Sequence, residues 1–277
     1  MFKKYLIVAS KADPAGMNII NQIGQFKPRQ FLDFTPNKPF FDLYVIENEI
    51  IQTDNLDHDK LNKYDFIIFA SKHSSSAEQT KKTLSVHCPG NFRDATMGGI
   101  KGKVCRASAL FNKFLFQKMN EKIEEHNLKD FEPTMEVTHH GPLIDKPCVF
   151  IEIGPTVSEW KNSRAGFVVA KTITETINEY EHNSYREIAV GLGGPHYCPG
   201  FNKLQLNSNV AISHIIPGYA LPITEEMIKE ILNKTIEDYD FVVVDWKGLG
   251  GAEARDAVIK ILEDNHIQWK KTGDVNR

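Results

Sequence analysis

Short apolar runs alternate with stretches of helical periodicity along most of the chain. Runs of strand length fall at residues 5–10, 41–47, 65–71, 135–139, 148–153, 187–192, 210–215 and 240–246. Several are apolar throughout, as in Phe66-Ile67-Ile68-Phe69-Ala70 and Phe241-Val242-Val243-Val244. That is the pattern of strands covered on both faces, as in a parallel sheet flanked by helices. The spacing between them predicts a helix opening at Asp13-Pro14, with Met17, Ile20 and Ile23 on its buried face and an end near Gly24. Further helices are expected over 104–123, 158–180 and 252–262, and from Thr224, where Glu225 and Glu226 suit the helix dipole. Pro28, Pro36 and Pro39 mark 27–39 as an extended connection. The expected fold class is α/β, a three-layer arrangement with sheet flanked by helices.

The 277 residues are expected to form one α/β domain over 1–277, with a subdivision near residue 95 as the alternative. With 33 basic and 36 acidic side chains the net charge is −3, which excludes a broadly basic nucleic-acid coat but not a local patch. Such a patch is expected between Ala95 and Asn120, where Lys101, Lys103, Arg106, Lys113 and Lys118 meet no acidic residue. No apolar run approaches the roughly 20 residues that span a bilayer. The run from Tyr5 to Ala9 is too short for a secretory leader, so neither membrane nor export is expected. Cys88, Cys105, Cys148 and Cys198 form no C-x-x-C and no framework spacing, and a reducing cytoplasm is the expected compartment.

The ten histidines carry the chemistry. His58, His126, His182 and His266 sit in charged surroundings and are expected on the surface. The other six fall at strand ends or in Gly-, Pro- and Ser-rich segments, where open α/β sheets gather their binding groups. They are His73 in Ser71-Lys72-His73-Ser74-Ser75-Ser76, His87 in Val86-His87-Cys88-Pro89-Gly90-Asn91, His139 and His140 in Thr138-His139-His140-Gly141-Pro142, His196 in Gly193-Gly194-Pro195-His196-Tyr197-Cys198, and His214. Adjacent strand residues point to opposite faces, so His139 and His140 share one site only if the strand ends between them. Glu152, inside an apolar strand, is open to two readings: a residue on a solvated face, or a metal ligand, histidine orienter or general base. His214, alone in an apolar strand, is equally a core histidine. Zinc is the natural metal for histidines with a carboxylate, although H-E-x-x-H is absent. The Gly193 run lacks the G-x-G-x-x-G spacing, which excludes a nicotinamide cofactor, and no G-x-S-x-G elbow points to a serine hydrolase. Cys198, beside Tyr197, is the one cysteine of chemical interest.

Taken in order, these runs resemble the archaeal-type D-aminoacyl-tRNA deacylase family, together with Glu136-Val137 before the paired histidines, Glu152-Ile153-Gly154, Glu159-Trp160 and Asp245-Trp246-Lys247-Gly248-Leu249. The resemblance runs from about residue 4 to 262. Pro195 and Ser213 depart from it, each standing where the family pattern has glycine. It implies a phosphorylase/peptidyl-tRNA hydrolase-like fold and zinc-dependent hydrolysis of the ester between a D-amino acid and tRNA, with two Zn2+ per chain. It implies His139, His140, Glu152 and His196 as catalytic groups, and His73, His87, His139 and His214 as metal ligands. Lys72, Gly193, Gly194 and Tyr197 would contact substrate, with the two glycine amides serving an oxyanion, and Lys101, Lys103 and Arg106 would meet tRNA phosphates. A monomer is expected, with a dimer as the alternative. Two other functions fit the residues: a zinc-dependent hydrolase of small amides or peptides, and an RNA-binding module without turnover. The density of histidine at strand ends argues against the second.

Overall fold

A computed structural model describes residues 2–26, 39–54, 56, 58–75, 81–181 and 186–275. Residues 27–38 of the connection expected over 27–39, and with them Ser76 and His182, lie outside the described residues. In chain order the elements are β1 (Lys4–Ser10), α1 (Pro14–Phe26), β2 (Phe40–Ile46), α2 (His58–Leu61), β3 (Phe66–Lys72), β4 (Thr83–His87), β5 (Gly90–Asn91), β6 (Lys103–Val104), α3 (Ala109–Glu125), β7 (Glu132–Met135), β8 (Cys148–Gly154), α4 (Val157–Trp160), α5 (Ser163–Glu179), β9 (Glu187–Leu192), α6 (Pro199–Asn207), β10 (Val210–Ile216), α7 (Glu225–Lys234), β11 (Phe241–Val244), α8 (Ala252–Asp264) and β12 (Trp269–Lys271).

The α/β class stands, but the strands form two main sheets. One has the order β2-β1-β3-β8-β4-β7 and the other β10-β9-β11-β12, with β5 and β6 as a separate ribbon. All pairings in the two main sheets are parallel except β4 against β8. The apolar runs bury both faces. Tyr5, Ile7 and Ala9 of β1 face a core shared with α1, α3 and α5. Leu6 and Val8 face a second core with Ile46, Leu61 and Phe150. A third core, around Val190, Val242 and Ile231, covers the outer face of the smaller sheet. No helix among the described residues is long and apolar enough to cross a membrane.

Side-chain caps set helix limits that periodicity missed. Asp13 does cap α1, its Oδ1 accepting from the amides of Ala15 and Gly16 at 2.9 Å each. The helix expected from 104 starts only at Ala109, because Ser108 accepts from the Phe111 amide and residues 103–107 pair instead with Gly90-Asn91 and with the end of α7. The helix expected over 158–180 is broken at Asn162, whose Oδ1 accepts from Arg164 and Ala165 and starts α5 afresh. α6 starts inside the Gly/Pro run where no helix was expected: Cys198, in the left-handed region at φ 35°, turns the chain and Pro199 opens the helix.

Three loops that follow β9, β10 and β11 meet glycine to glycine. A Cβ on Gly248 would lie 2.0 Å from the Gly194 nitrogen, and one on Gly218 would lie 2.1 Å from the Gly248 oxygen. Gly248→Ala is therefore expected to cost about 3 kcal/mol through overpacking against backbone. Denaturant unfolding checks it, and an unchanged midpoint would show that the loops part freely.

Candidate active site

The segment 136–140 is stitched between the two sheets. The amide of Glu136 donates to the Val86 carbonyl of the larger sheet, while those of Val137 and Thr138 donate to His196 and Ile215 on the side of the smaller one. Because its amides serve three different segments, the strand expected over 135–139 ends at Met135. His140 then takes φ 41°, and this turn brings the rings of His139 and His140 to 4.3 Å between centroids. His87, at the end of β4, lies 4.2 Å from His139 and 4.8 Å from His140, and stacks on Phe150.

His73 enters from the end of β3. Asp13 fixes that end by accepting from the Ser71 hydroxyl and the Lys72 amide, both at 2.8 Å, while the Trp160 indole donates to the His73 carbonyl at 2.9 Å. Its Nε2 meets the Tyr197 hydroxyl at 2.9 Å. Its Nδ1 lies 3.1 Å from Glu136 and 3.7 Å from Glu152. His196 and His139 approach the other Glu136 oxygen at 3.4 and 3.5 Å. Glu152, on β8 between β3 and β4, is 1% exposed, which removes the solvated-face reading, and its Oε2 is 3.7 Å from His87 Nε2.

The charges follow from this packing. Burial alone would raise the carboxyl of Glu136, but His196 and His73 outweigh it and hold it well below the ordinary carboxylate range. The same opposition, with His73 and His87, lowers Glu152. Burial lowers His73 less than the two carboxylates raise it, to about 11. His139 and His140 are pushed down by burial and by neighbouring histidines, His140 to about 4. Burial also acts to lower His87, but Glu152 and Glu136 outweigh it and raise it, so the cluster is two buried anions, two rings that they favour as cations, and a neutral pair.

Three groups could hold a cation: His87, His139 and His140; His73, Glu136 and His196; and His87, Glu136 and Glu152, each with ligand atoms within 4.8 Å of one another. The donor set fits a divalent metal on two counts. The buried His87 Nε2, both Glu136 oxygens and Glu152 Oε2 have no hydrogen bond of sound geometry among the described residues. His87, His139 and His140 also each point Nδ1 at a backbone carbonyl, of Cys88, Val137 and Gly141. A carbonyl only accepts, so each ring in its neutral form carries its proton on Nδ1 and leaves the Nε2 lone pair to a ligand, the arrangement of metal-ligating imidazoles.

Other expectations are corrected. His214 does not join the cluster. Its Nε2 donates to the Cys105 carbonyl at 3.0 Å and its Nδ1 meets Thr138 Oγ1 at 3.1 Å, so neither nitrogen is free for a metal, and burial lowers its pKa to about 4. Gly193 has no amide for an oxyanion, because it donates to Ile216 at 2.8 Å. Gly194 packs against Asp245 and Gly248. Lys72 pairs with Glu49 at 2.6 Å. Cys198 is buried, its thiol pushed up by burial and donating to Met135, so it is no nucleophile. Of the basic stretch, Lys101, Lys103 and Arg106 are exposed, with Lys103 paired to Glu230 at 3.1 Å. Lys113 is buried and Lys118 pairs with Glu121 and Glu179. His58 and His266 are exposed, whereas His126 is half-buried against Phe167. Ser213, at a glycine position of the family pattern, finds a partner in Thr235 Oγ1 at 2.7 Å. Glu136 was given no role by sequence reasoning, and its only signal was three-residue spacing from His139.

A cleft of about 490 Å3 reaches the cluster at His139, lined also by Asn91, Arg93, Lys101, Pro217 and Tyr219. Fold and cluster together define an α/β protein with a buried histidine–carboxylate cluster at the end of a cleft. A family model described as D-aminoacyl-tRNA deacylase matches residues 60–270. Proteins named D-aminoacyl-tRNA deacylase from Methanocaldococcus jannaschii and Pyrococcus abyssi are 33% and 34% identical, over 97% and 96% of this chain and 99% of each relative. A crystal structure described as a conserved protein of unknown function superposes with a TM-score of 0.84 at 29% identity, covering 98% of this chain and 96% of that one. The chain belongs to the D-aminoacyl-tRNA deacylase family.

Proposed function

We propose that this chain hydrolyses the ester between a D-amino acid and tRNA in the cytoplasm, with zinc in the histidine–carboxylate cluster. Family membership supports the reaction. The observation that carries the metal is the common orientation of His87, His139 and His140, each with Nδ1 on a carbonyl and Nε2 left for a ligand. His73 and Glu136 would hold the second of two ions; the carboxylates that keep a proton on His73 are equally suited to a divalent cation. When bound, zinc supplies a water acidic enough to ionise near neutral pH and a Lewis acid for the ester carbonyl.

The chain's own residues do the rest. Glu152 Oε2, 3.7 Å from both His73 Nδ1 and His87 Nε2, accepts the proton of the attacking water. His196, 33% exposed at the rim, returns a proton to the departing ribose oxygen. The Tyr197 hydroxyl fixes the His73 ring. Arg106, exposed on the surface, meets RNA phosphate. The phosphorylase/peptidyl-tRNA hydrolase-like arrangement belongs to the same proposal, and the mixed sheet, in which β4 and β7 run opposite to the other four strands, supports it.

The test is release of amino acid from D-tyrosyl-tRNA and L-tyrosyl-tRNA by protein as purified, after chelation, and after zinc is restored. Release from the D ester alone, lost on chelation and recovered with about two zinc ions per chain by mass spectrometry, is expected. Turnover that survives metal removal would overturn the zinc assignment, and no release by zinc-loaded protein would overturn the function.

A further inference from the structure

Beside the cluster, the cleft is bounded by two surfaces of different character. On one side is Tyr219, 59% exposed, carried on the glycine-packed loop after β10. On the other is the segment 91–101, with Arg93 and Lys101 on the lining. This second wall is held in place. Gly99 donates to both Asp54 oxygens at 2.9 and 3.0 Å, Asn91 donates to the Gly98 carbonyl at 2.8 Å, and the amide of Gly141 donates to Met97. The wall is therefore tied directly to the chain just after His140.

Charge decides what such a cleft takes. Lys103, two residues away, is neutralised by Glu230, but neither Arg93 nor Lys101 has an ion-pair partner among the described residues. Both are exposed and lie within one cleft with an exposed aromatic ring. An exposed aromatic ring and two cations without ion-pair partners on one cleft are the composition of a single-stranded RNA site, where bases stack on aromatic faces and cations meet phosphate. The volume, about 490 Å3, is in the range that holds a nucleotide.

We propose that this cleft seats the 3′-terminal adenosine of tRNA, its base on the Tyr219 ring and the flanking phosphates on Lys101 and Arg93. The inference rests on the deacylase reading and adds to it how the scissile ester is placed. With the base on Tyr219, the ribose and its acyl group lie toward His139, at the inner end of the cleft. Asp94, the one acid on the lining, accepts from the base amino group or a ribose hydroxyl. Tyr219, Lys101 and Arg93 are thus positioning residues that read the nucleoside common to all tRNAs, and they contribute nothing to the choice among amino acids.

The test uses the trinucleotide CCA titrated against the whole protein by calorimetry, which needs no turnover, and steady-state deacylation of D-tyrosyl-tRNA and D-alanyl-tRNA. Tyr219→Ala is expected to weaken CCA binding about 5- to 150-fold and to raise KM by a similar factor for both substrates, with kcat within about twofold. Tyr219→Phe keeps the ring and is expected to behave as the parent. Lys101→Ala is expected to reduce the slope of log affinity against log salt by about 0.7, one phosphate's worth on a single strand. Unchanged CCA affinity in folded Tyr219→Ala would overturn the proposal, as would a KM change confined to one amino acid, which would assign the cleft to the amino-acid side chain. If CCA binds through Tyr219 but the parent releases no D-amino acid, the nucleoside site stands and the deacylase reading fails.

Discussion

Replacing Glu136 by alanine is expected to lower kcat for D-aminoacyl-tRNA about 1000-fold, with tRNA affinity within a factor of about two. Three rings converge on its two oxygens: His73 at 3.1 Å, His196 at 3.4 Å and His139 at 3.5 Å. Without the carboxylate, His73 keeps only Glu152, and the rings of His139 and His196 lose the anion that orients them. The deeply buried position leaves no path for bulk water to replace it. Zinc content separates the roles. A loss of metal affinity of about 10- to 100-fold in both Glu136→Ala and Glu136→Gln would mark Glu136 as part of the metal's surroundings. Full metal content with lost turnover would mark a proton-handling role. A kcat within threefold of the parent would remove Glu136 from the working site altogether.

Glu136 also shows where sequence reading ends. The sheets were legible because the runs 5–9, 66–70 and 241–244 inside β1, β3 and β11 are apolar at every position, and only a strand covered on both faces needs that. The paired histidines were legible because Gly141-Pro142 follows them, and the left-handed turn at His140 is what lets both rings share a site. Glu136 had no comparable mark. Its neighbours read as an ordinary strand, and its meaning comes from chain brought in from β3, β4 and β9. β4 itself was missed, because Thr-Leu-Ser-Val-His is short and half polar, yet it buries every residue between β8 and β7. His214 failed in the opposite direction. Its position at a strand end matched the site pattern, while the groups that occupy it, Thr138 and the Cys105 carbonyl, are remote in sequence.

The stretch of five basic residues divides in the same way, and the division can be measured. Lys113→Met is expected to destabilise the protein by about 3 kcal/mol, lowering Tm by roughly 8 °C, without altering the salt dependence of tRNA binding. In sequence Lys113 belongs with Lys101, Lys103 and Arg106. In the fold it lies on the face of α3 turned toward α6 and β10, where Nζ donates to the carbonyls of Gln205, Ser208 and Val210. Burial pushes its pKa down to about 7, and three carbonyl acceptors oppose that by favouring the ammonium. Methionine fills the space of the stem but takes the ammonium donor from the carbonyls of Gln205, Ser208 and Val210, which is where the cost arises. The variant therefore tests an interior bond and Lys101→Ala a surface contact. A Lys113→Met protein of parental stability would mean that water reaches those carbonyls. A reduced salt slope in that variant would return Lys113 to the RNA-facing surface, where its sequence neighbours placed it.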